Sequence, residues 1–299
     1  MRTFGVISIP SSAGARNVGQ ELAPQALRSA GLFEELKKGN VKVVDCGSTP
    51  LVRFEPDRSN PNAQNLPLVA AVARKTMSRV ANAVQSNLFP FVIGGDCTIT
   101  LGVVAGMTEP GENLGLVYFD ADVDLNTPDD TPSGIFDGMG MSHMLGEGAP
   151  ELSRMGSRYP LLDKQRIAMF GVNMSSGSVD PHELDRFNSR DFIKTSVEEI
   201  RVNPEETARK ALAALEKTAD RILVHFDVDV LDHQDFPCAD VPHNNGLTLQ
   251  EAVRALKIFF ASNKFGGFVL TEFNAQRDMD GSNARKLVRS LCEVMKGAQ

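Results

Sequence analysis

The chain lacks a long apolar stretch and paired cysteines, and both absences narrow what kind of protein it can be. No segment approaches the ~20 apolar residues of a membrane span, and the apolar run at residues 4–9 is too short for a signal-peptide core. The four cysteines are scattered and form no Cys-x-x-Cys pair. A chain of 299 residues needs no disulfide staples. We therefore expect a reducing, cytoplasmic environment.

The chain also lacks a stripe of basic residues. Its 31 Lys and Arg are outnumbered by 38 Asp and Glu, which gives a net charge of −7, and its longest basic clusters are pairs such as Lys37-Lys38. Phosphate binding needs clustered cations, so we expect no nucleic-acid partner. We find no internal repeat and no low-complexity linker. This favours a single domain over residues 1–299.

Short apolar runs alternate with helix-like segments along the chain. Runs that are apolar throughout are typical of strands covered on both faces, as in a parallel sheet. We predict strands at residues 4–9, 41–45, 89–93, 114–119, 165–170, 222–226 and 267–270. We predict helices at residues 23–38, 67–86, 98–107, 204–218, 248–262 and 282–296. Thr248 and Glu251 form a capping-box pattern at the fifth helix. The alternation predicts a doubly wound α/β sandwich.

Polar residues that directly follow a strand are the first candidates for a site, because open parallel sheets bind ligands at the carboxyl ends of their strands. The run 89–93 is followed by Gly94-Gly95-Asp96-Cys97. Two glycines permit a tight turn with unusual backbone angles, which would face Asp96 and Cys97 into the site. A capping aspartate and a cysteine that only fills space would explain the segment equally well.

Three carboxylates, Asp120, Asp122 and Asp124, follow the run 114–119 at alternate positions. Period-two geometry aims them the same way, and like charges this close repel unless a cation lies among them. The alternative is a solvated acidic loop. That alternative is weakened because the triplet directly follows an apolar run.

A similar group of aspartates, Asp227, Asp229 and Asp232, follows the apolar run 222–226. Two strand ends that carry Asp-x-Asp, together with a third that carries Asp-Cys, indicate a shared metal centre. Hard oxygen ligands favour Mn²⁺, Mg²⁺ or a similar ion. Carboxylates in this number suit two metals roughly 3.5 Å apart.

These segments together resemble the ureohydrolase (arginase/agmatinase) family, and the resemblance runs nearly from end to end. Its motifs are matched at Gly94-Gly95-Asp96-Cys97, Asp120-Ala-Asp122-Val-Asp124-Leu-Asn126, Phe226-Asp227-Val-Asp229 and Thr271-Glu272-Phe-Asn274. The resemblance implies a three-layer α/β/α sandwich around a mostly parallel sheet of about eight strands. It also implies a homo-oligomer, either a trimer or a hexamer.

The resemblance implies a role for each matched residue. A binuclear centre, usually of Mn²⁺, would take its ligands from Cys97, Asp120, Asp122, Asp124, Asp227 and Asp229. Glu272 falls on a glutamate that pairs with the guanidinium group of the substrate. Asn126 and Ser133 fall on contacts to the substrate's carboxylate end, and Glu183 falls on a contact to its amino group.

Five positions depart from the family's pattern. Cys97 and Asp122 stand where the family has two histidine ligands, and Asp137 stands at a histidine that moves protons. Ile135 replaces an asparagine of the substrate loop, and His233 replaces a proline. The shell is therefore more anionic than usual, which would lower the Lewis acidity of its ions and favour Zn²⁺ or Fe²⁺ beside the thiolate.

The five histidines offer no obvious replacement ligands. We expect strand alternation to place His225 on the same face as Asp227 only if the strand kinks, and therefore expect it outside the site. We expect surface positions for the others, His143, His182, His233 and His243. Among these, His143 and His243 are the candidates to replace the missing proton-moving histidine.

The leading interpretation is metal-assisted hydrolysis of a C–N bond in a small guanidino or amidino molecule. Glu272 would orient the guanidinium group, Asp124 would pass a proton to the leaving amine, and Asp137 or a histidine would exchange it with solvent. A second interpretation changes the substrate, because Ile135 removes a polar contact. A third is a catalytically inactive family member that acts as a binding or scaffolding subunit, which the loss of both histidines favours.

Overall fold

The computed structural model describes residues 2–175, 177 and 179–296, and within them eight strands form one sheet. Every neighbouring pair of strands is parallel. The strands are β1 (Thr3–Ser8), β2 (Lys42–Ser48), β3 (Phe89–Ile93), β4 (Leu114–Phe119), β5 (Ile167–Val172), β6 (Ile193–Ser196), β7 (Arg221–Asp227) and β8 (Phe265–Thr271). Their order across the sheet is β2-β1-β3-β8-β7-β4-β5-β6.

Helices cover both faces of the sheet. They are α1 (Ala23–Ser29), α2 (Leu32–Lys38), α3 (Leu66–Gln85), α4 (Ile99–Met107), α5 (Gly140–Met144), α6 (Pro150–Ser153), α7 (Pro181–Ser189), α8 (Val197–Val202), α9 (Pro204–Leu215), α10 (Leu249–Ala261) and α11 (Ser282–Lys296). Helices α1, α2 and α8–α11 pack in one core, and α3–α7 pack in the other. Among the described residues, no helix is both long and apolar enough to cross a membrane.

The two cores explain why the strands read as continuous apolar runs. In β4, Val117 and Phe119 join the core under α8–α11, whereas Leu116 and Tyr118 join the core under α3–α7. Successive side chains of a strand point to opposite faces, and here each face meets helices. The predicted three-layer sandwich with a parallel sheet is confirmed, and all strand pairs of the sheet in the described part of the chain are parallel.

Several predicted elements differ in detail from those observed. The predicted helix 23–38 is interrupted at Gly31, whose φ of +88° suits glycine, so α1 and α2 are separate. Strand β6 was not predicted; it is a four-residue edge strand with an exposed Lys194. The capping box at Thr248 is confirmed, since its side chain accepts a hydrogen bond from Glu251 N at 3.2 Å.

Candidate metal centre

The four central strands of the sheet, β3, β8, β7 and β4, end beside one another at one edge. Because all four are parallel, the residues that follow them converge on one place. A cavity of about 210 Å³ opens there. The residues to which the family resemblance gives a role all line it: Cys97, Asp120, Asp122, Asp124, Asn126, Ser133, Asp137, Glu183, Asp227, Asp229 and Glu272.

The turn after β3 brings Cys97 to this cavity, for a reason other than the predicted one. Gly94 and Gly95 do not have positive φ angles. They are needed for space, because a Cβ at Gly95 would lie 1.7 Å from the carbonyl oxygen of Ser11. Asp96 does not line the cavity as expected; its carboxylate accepts hydrogen bonds from the backbone of Gly14 and Thr98 and so holds the turn.

Two residues at the strand ends have left-handed backbone conformations, Asp124 with φ +50° and Glu272 with φ +62°. Non-glycine residues rarely adopt this region, and where they do the site is often functional. The Glu272 amide is fixed by a 2.9 Å hydrogen bond to the carbonyl oxygen of Gly95. These are two of the three residues for which the sequence predicts catalytic roles; the third, Asp137, does not have a positive φ angle.

One group of ligand atoms, here called the inner half, consists of Cys97, Asp120, His225 and Asp227. Cys97 Sγ lies 2.6 Å from Asp227 Oδ2 and 3.6 Å from His225 Nε2. His225 Nε2 lies 3.2 Å from Asp120 Oδ2. All four residues are buried, so one sulfur, one nitrogen and two oxygens face one another away from solvent.

The expectation that His225 lies outside the site was wrong. Residues 225 and 227 are two apart in β7 and therefore share a face without any kink. The ring stacks on Tyr118 with centroids 4.2 Å apart, and its Nδ1 lies 2.9 Å from Thr100 Oγ1. Burial lowers the pKa of His225 to about 3, so the ring is neutral near pH 7.

A second group, here called the outer half, consists of Asp122, Asp229 and His243. His243 Nε2 lies 3.3 Å from Asp122 Oδ2 and 3.5 Å from Asp229 Oδ2. Burial opposes protonation of His243, but the two carboxylates outweigh it and raise the pKa to about 11. The expected surface position was wrong: His243 is buried, and the loop that carries it pairs with Asp232 in an isolated bridge.

Backbone hydrogen bonds orient the two carboxylates of the inner half. Asp120 Oδ1 accepts from the amide of Asp122 at 2.8 Å, and Asp227 Oδ1 accepts from the amide of Asp229 at 2.7 Å. In each case the other oxygen, Oδ2, is the one that lies against the inner half. One oxygen therefore anchors each side chain while the other is presented as a ligand.

The carboxylates are crowded enough that protons or cations must offset their charge. Burial, reinforced by neighbouring aspartates, raises the pKa values of Asp120, Asp124 and Asp227 well above their usual range. Burial and Asp227 also raise the pKa of the Cys97 thiol. Divalent ions would neutralise such a cluster, and a set of carboxylate oxygens, one thiol and two imidazoles fits them chemically.

Glu272 and Asp137 share one donor at the rim of the centre. The Cys97 amide donates to Asp137 Oδ1 at 2.8 Å and to Glu272 Oε1 at 3.0 Å. Gln20 Nε2 donates to Glu272 Oε2 at 3.2 Å. Gln20 was not predicted as a site residue, because it lies in the first loop and no local pattern connects it to β8.

The wider cavity holds the residues predicted to contact substrate. Asn126 Oδ1 lies 2.7 Å from His182 Nε2. Both oxygens of Glu183 already accept backbone hydrogen bonds, from Leu125 at 3.0 Å and from Asp180 at 3.1 Å. Arg16 also lines the cavity and was not predicted. It gives the wall a cation opposite the many carboxylates.

His143 is the remaining buried histidine, and it lies away from the centre. Its Nδ1 is 2.7 Å from the carbonyl oxygen of Met139, and its Nε2 accepts from the amide of Ala149 at 3.1 Å. The expectation of a surface position was wrong for His143, and because it does not line the cavity it is poorly placed to move protons there. Asp232 also lies outside the centre. Its carboxylate accepts hydrogen bonds from the amides of Gln234 and Gly246 and so holds the loop after β7.

Comparison with known proteins gives a consistent result along the whole chain. A family profile described as the arginase family matches residues 2–296. The arginase of Bacillus caldovelox is 29% identical over 297 residues, which span 97% of this chain and 98% of that protein. The arginase of Staphylococcus aureus (strain MRSA252) is 30% identical over 290 residues, 95% of this chain and 93% of that protein.

Solved structures agree with the sequence matches. The structure of the Bacillus caldovelox arginase superposes with a TM-score of 0.91 at 27% identity, and the match covers 99% of this chain and 98% of that one. Formimidoylglutamase of Bacillus subtilis, at 17% identity and a TM-score of 0.76, shares the fold.

Proposed function

The chain belongs to the arginase family, and from this premise we propose that it is a metal-dependent hydrolase that cleaves a C–N bond in a small guanidino or amidino molecule. The proposal treats the chain as a single ureohydrolase-like domain that works in the cytoplasm as a homo-oligomer. The observation that carries it is the convergence of carboxylates from three adjacent strand ends, and of the Cys97 thiol from a fourth, on one cavity.

The centre would hold two divalent ions, with Mn²⁺ first and Zn²⁺ or Fe²⁺ as alternatives. Asp120 and Asp227 lie in the inner half and each is linked by a backbone hydrogen bond to the outer half, so they are the residues suited to serve both ions. When bound, the ions would bring the pKa of water near neutrality and polarise the substrate. Asp124 would complete the set, since its carboxylate also lines the cavity.

The chain's own residues supply orientation and proton handling. Glu272, fixed by the Cys97 amide and Gln20, would accept hydrogen bonds from the guanidinium group and hold its carbon towards the centre. Asp124 receives a hydrogen bond from the hydroxyl of Tyr118, and burial raises its pKa, so it is suited to carry a proton to the leaving amine. Asp137 would exchange that proton with solvent.

The substrate's far end would lie against Asn126, Ser133 and Ile135, which line the cavity. An isoleucine offers no hydrogen bond, and sites that lose a polar partner discriminate against the group that it served. Arg16 would favour an anionic group at this end. The favoured candidates are therefore guanidino acids whose far end differs from that of arginine, with agmatine and hydroxylated arginine as comparisons.

The test is a substrate panel on protein equilibrated with Mn²⁺, scored by release of urea or amine. Hydrolysis of at least one guanidino compound, absent after chelation and restored by Mn²⁺, would support the proposal. The alternative, an inactive binding subunit, is favoured by the replacement of both family histidines at Cys97 and Asp122. Ligand binding without turnover across the panel and across Mn²⁺, Zn²⁺ and Fe²⁺ would select that alternative.

A further inference from the structure

We propose that two histidines at new positions supply the imidazole ligands of this centre: His225 to the inner half and His243 to the outer half. This inference rests on the proposed metal-dependent function, but it concerns which atoms hold the ions. Neither histidine belongs to the motifs by which the site was recognised. Each lies in space beside a position where the family pattern has a histidine and this chain has another residue, His225 beside Cys97 and His243 beside Asp122.

The inner half has the geometry of a four-ligand site. Its four ligand atoms lie within 4.8 Å of one another, and three separations, from Cys97 Sγ to His225 Nε2, from His225 Nε2 to Asp120 Oδ2, and from Cys97 Sγ to Asp120 Oδ2, are 3.6, 3.2 and 4.0 Å. Ligands about 2.0–2.3 Å from a common ion are separated on this order. A sulfur, a nitrogen and two oxygens can therefore surround one ion once the separation from Cys97 Sγ to Asp227 Oδ2, now 2.6 Å, lengthens to the same range.

The second ring nitrogen of His225 supports its assignment as a ligand. Ligating histidines almost always donate their other N–H to a hydrogen-bond acceptor, which fixes the tautomer. His225 Nδ1 lies 2.9 Å from Thr100 Oγ1, which can accept it. The stack on Tyr118 holds the ring plane. With Nδ1 carrying the hydrogen, the lone pair of Nε2 points towards Cys97 and Asp120.

His243 Nε2 is the unsatisfied atom of the outer half. It is buried and, within the described part of the chain, makes no hydrogen bond of acceptable geometry, although two carboxylate oxygens lie at 3.3 and 3.5 Å. In the absence of an ion, a proton on His243 pairs it with both carboxylates. A divalent ion held by the imidazole and the two carboxylates would take the place of that proton, because a histidine must lose it to bind a metal.

The two halves then differ in ligand chemistry. The inner half contains the only sulfur among the grouped ligands and favours softer ions such as Zn²⁺ or Co²⁺, whereas the outer half offers two carboxylates and an imidazole, which also suit Mn²⁺. The histidines lost from the family positions are therefore regained, one in each half, by residues from β7 and from the loop that follows it.

The test measures Co²⁺ binding by equilibrium dialysis and by absorption spectroscopy. Mass spectrometry counts the ions bound per chain. The wild type is expected to bind two ions per chain and to show a thiolate-to-metal charge-transfer band. His225→Gln is expected to weaken one ion by at least about tenfold and to change that band. His243→Gln is expected to weaken the other ion to a similar extent and to leave the band in place.

His143→Gln is the matched control, because His143 is equally buried but belongs to neither group of ligand atoms. It is expected to bind both ions as the wild type does. If His225→Gln does not fold, Thr100→Val removes the Nδ1 partner without touching the ring and is expected to lower inner-half affinity by about tenfold.

X-ray absorption on the metal-loaded wild type gives a result that depends on no variant, and scattering from imidazole rings is expected. Unchanged affinity and spectra in both variants, no imidazole signal, or a wild type that binds neither ion would overturn the proposal. A chain that binds metal through both histidines but hydrolyses nothing in the panel would contradict the proposed function and support this inference. An active enzyme with unaltered metal binding in both variants would support the proposed function and contradict this inference.

Discussion

The inner and outer halves of the centre differ in access to water as much as in ligand type. The His225 and Asp120 side chains are 0% and 2% exposed, whereas the Asp122 side chain in the outer half is 23% exposed. Residues of both halves line the cavity, and the outer half differs in the partly exposed carboxylate of Asp122. In low-dielectric surroundings charge interactions are stronger, so the inner half, whose residues are all buried, suits the more tightly held ion.

The largest effect is expected from Asp227→Ala, which breaks both halves at once. Asp227 contacts Cys97 through one oxygen and accepts the Asp229 amide through the other. We expect metal content to fall towards zero and hydrolysis to fall to background, measured by mass spectrometry and by the substrate assay. Asp185→Ala, an exposed aspartate on α7, is the control. Full activity in Asp227→Ala would show that the site is wrongly assigned.

Glu272→Gln tests whether substrate binding is separate from both halves. The amide keeps the shape of the side chain and loses its charge, so both ions should stay bound. A charge-assisted hydrogen bond is worth about 1.5–3 kcal/mol, so we expect kcat/KM to fall about 10–100-fold. The measurements are steady-state kinetics and metal content on the same preparation. Loss of metal would instead make Glu272 part of the centre.

Cys97→Ser sharpens the contrast in ligand softness. Replacing the thiol by a hydroxyl removes the one soft ligand of the inner half, so the affinity for Zn²⁺ should fall about 10–100-fold relative to that for Mn²⁺. Competition dialysis with both ions measures the ratio. Cys292→Ser, at a buried cysteine in α11, is the matched control. An unchanged ratio would mean that Cys97 only fills space.

Asp120→Asn tests how much the crowding of negative charge in the inner half lowers the folding stability when no metal is bound. Burial and neighbouring carboxylates raise the pKa of Asp120, and its Oδ1 contact to the Asp122 amide can be kept by an asparagine oxygen. Removing the charge should raise the Tm of chelated protein by about 2–4 °C, the shift expected for roughly 1 kcal/mol. The increase in Tm on adding metal should shrink. Thermal unfolding with and without chelator measures both, and a lower Tm in chelator would contradict the crowding argument.

The smallest effect is expected from His143, which lies outside both halves. It contributes to the pH dependence of the folding stability independently of the metal centre. Burial lowers the pKa of His143, so below the ordinary value of 6.5 the unfolded chain binds a proton that the folded chain resists. The His143 contribution to stability is therefore present above pH 6.5 and is lost as the pH falls towards the lowered pKa. Denaturant unfolding between pH 7 and 5 should show a flatter dependence in His143→Gln. Equal slopes would exclude this contribution.

The sequence predicted the fold well because a parallel sheet leaves a direct signal. Strands such as β4 are buried on both faces, so apolar runs without alternation mark them. The edge strand β6 escaped notice because it is short and half-exposed. The carboxylates of the centre were also predictable, since Asp120 and Asp227 directly follow such runs and parallel strands bring those ends together.

The two histidines were beyond the sequence prediction for different reasons. His225 could have been predicted, because it lies two residues before Asp227 and side chains two apart in a strand share a face. The expected kink was unnecessary. His243 could not, because its place depends on how a loop folds back against Asp232. Such contacts are set by tertiary packing and leave no local periodicity. Gln20, which reaches Glu272 from the first loop, is hidden for the same reason.

Tyr118 gives the centre an internal linkage. Its ring stacks on His225, and its hydroxyl donates to Asp124, so a single rigid side chain touches both a proposed ligand and the proposed proton carrier. Interiors are packed too densely for one of these groups to shift alone. A change in the size of the ion in the inner half would therefore move Tyr118 and, through its hydroxyl, shift the carboxylate of Asp124. The identity of the ion in the inner half would then influence how readily the leaving amine receives its proton.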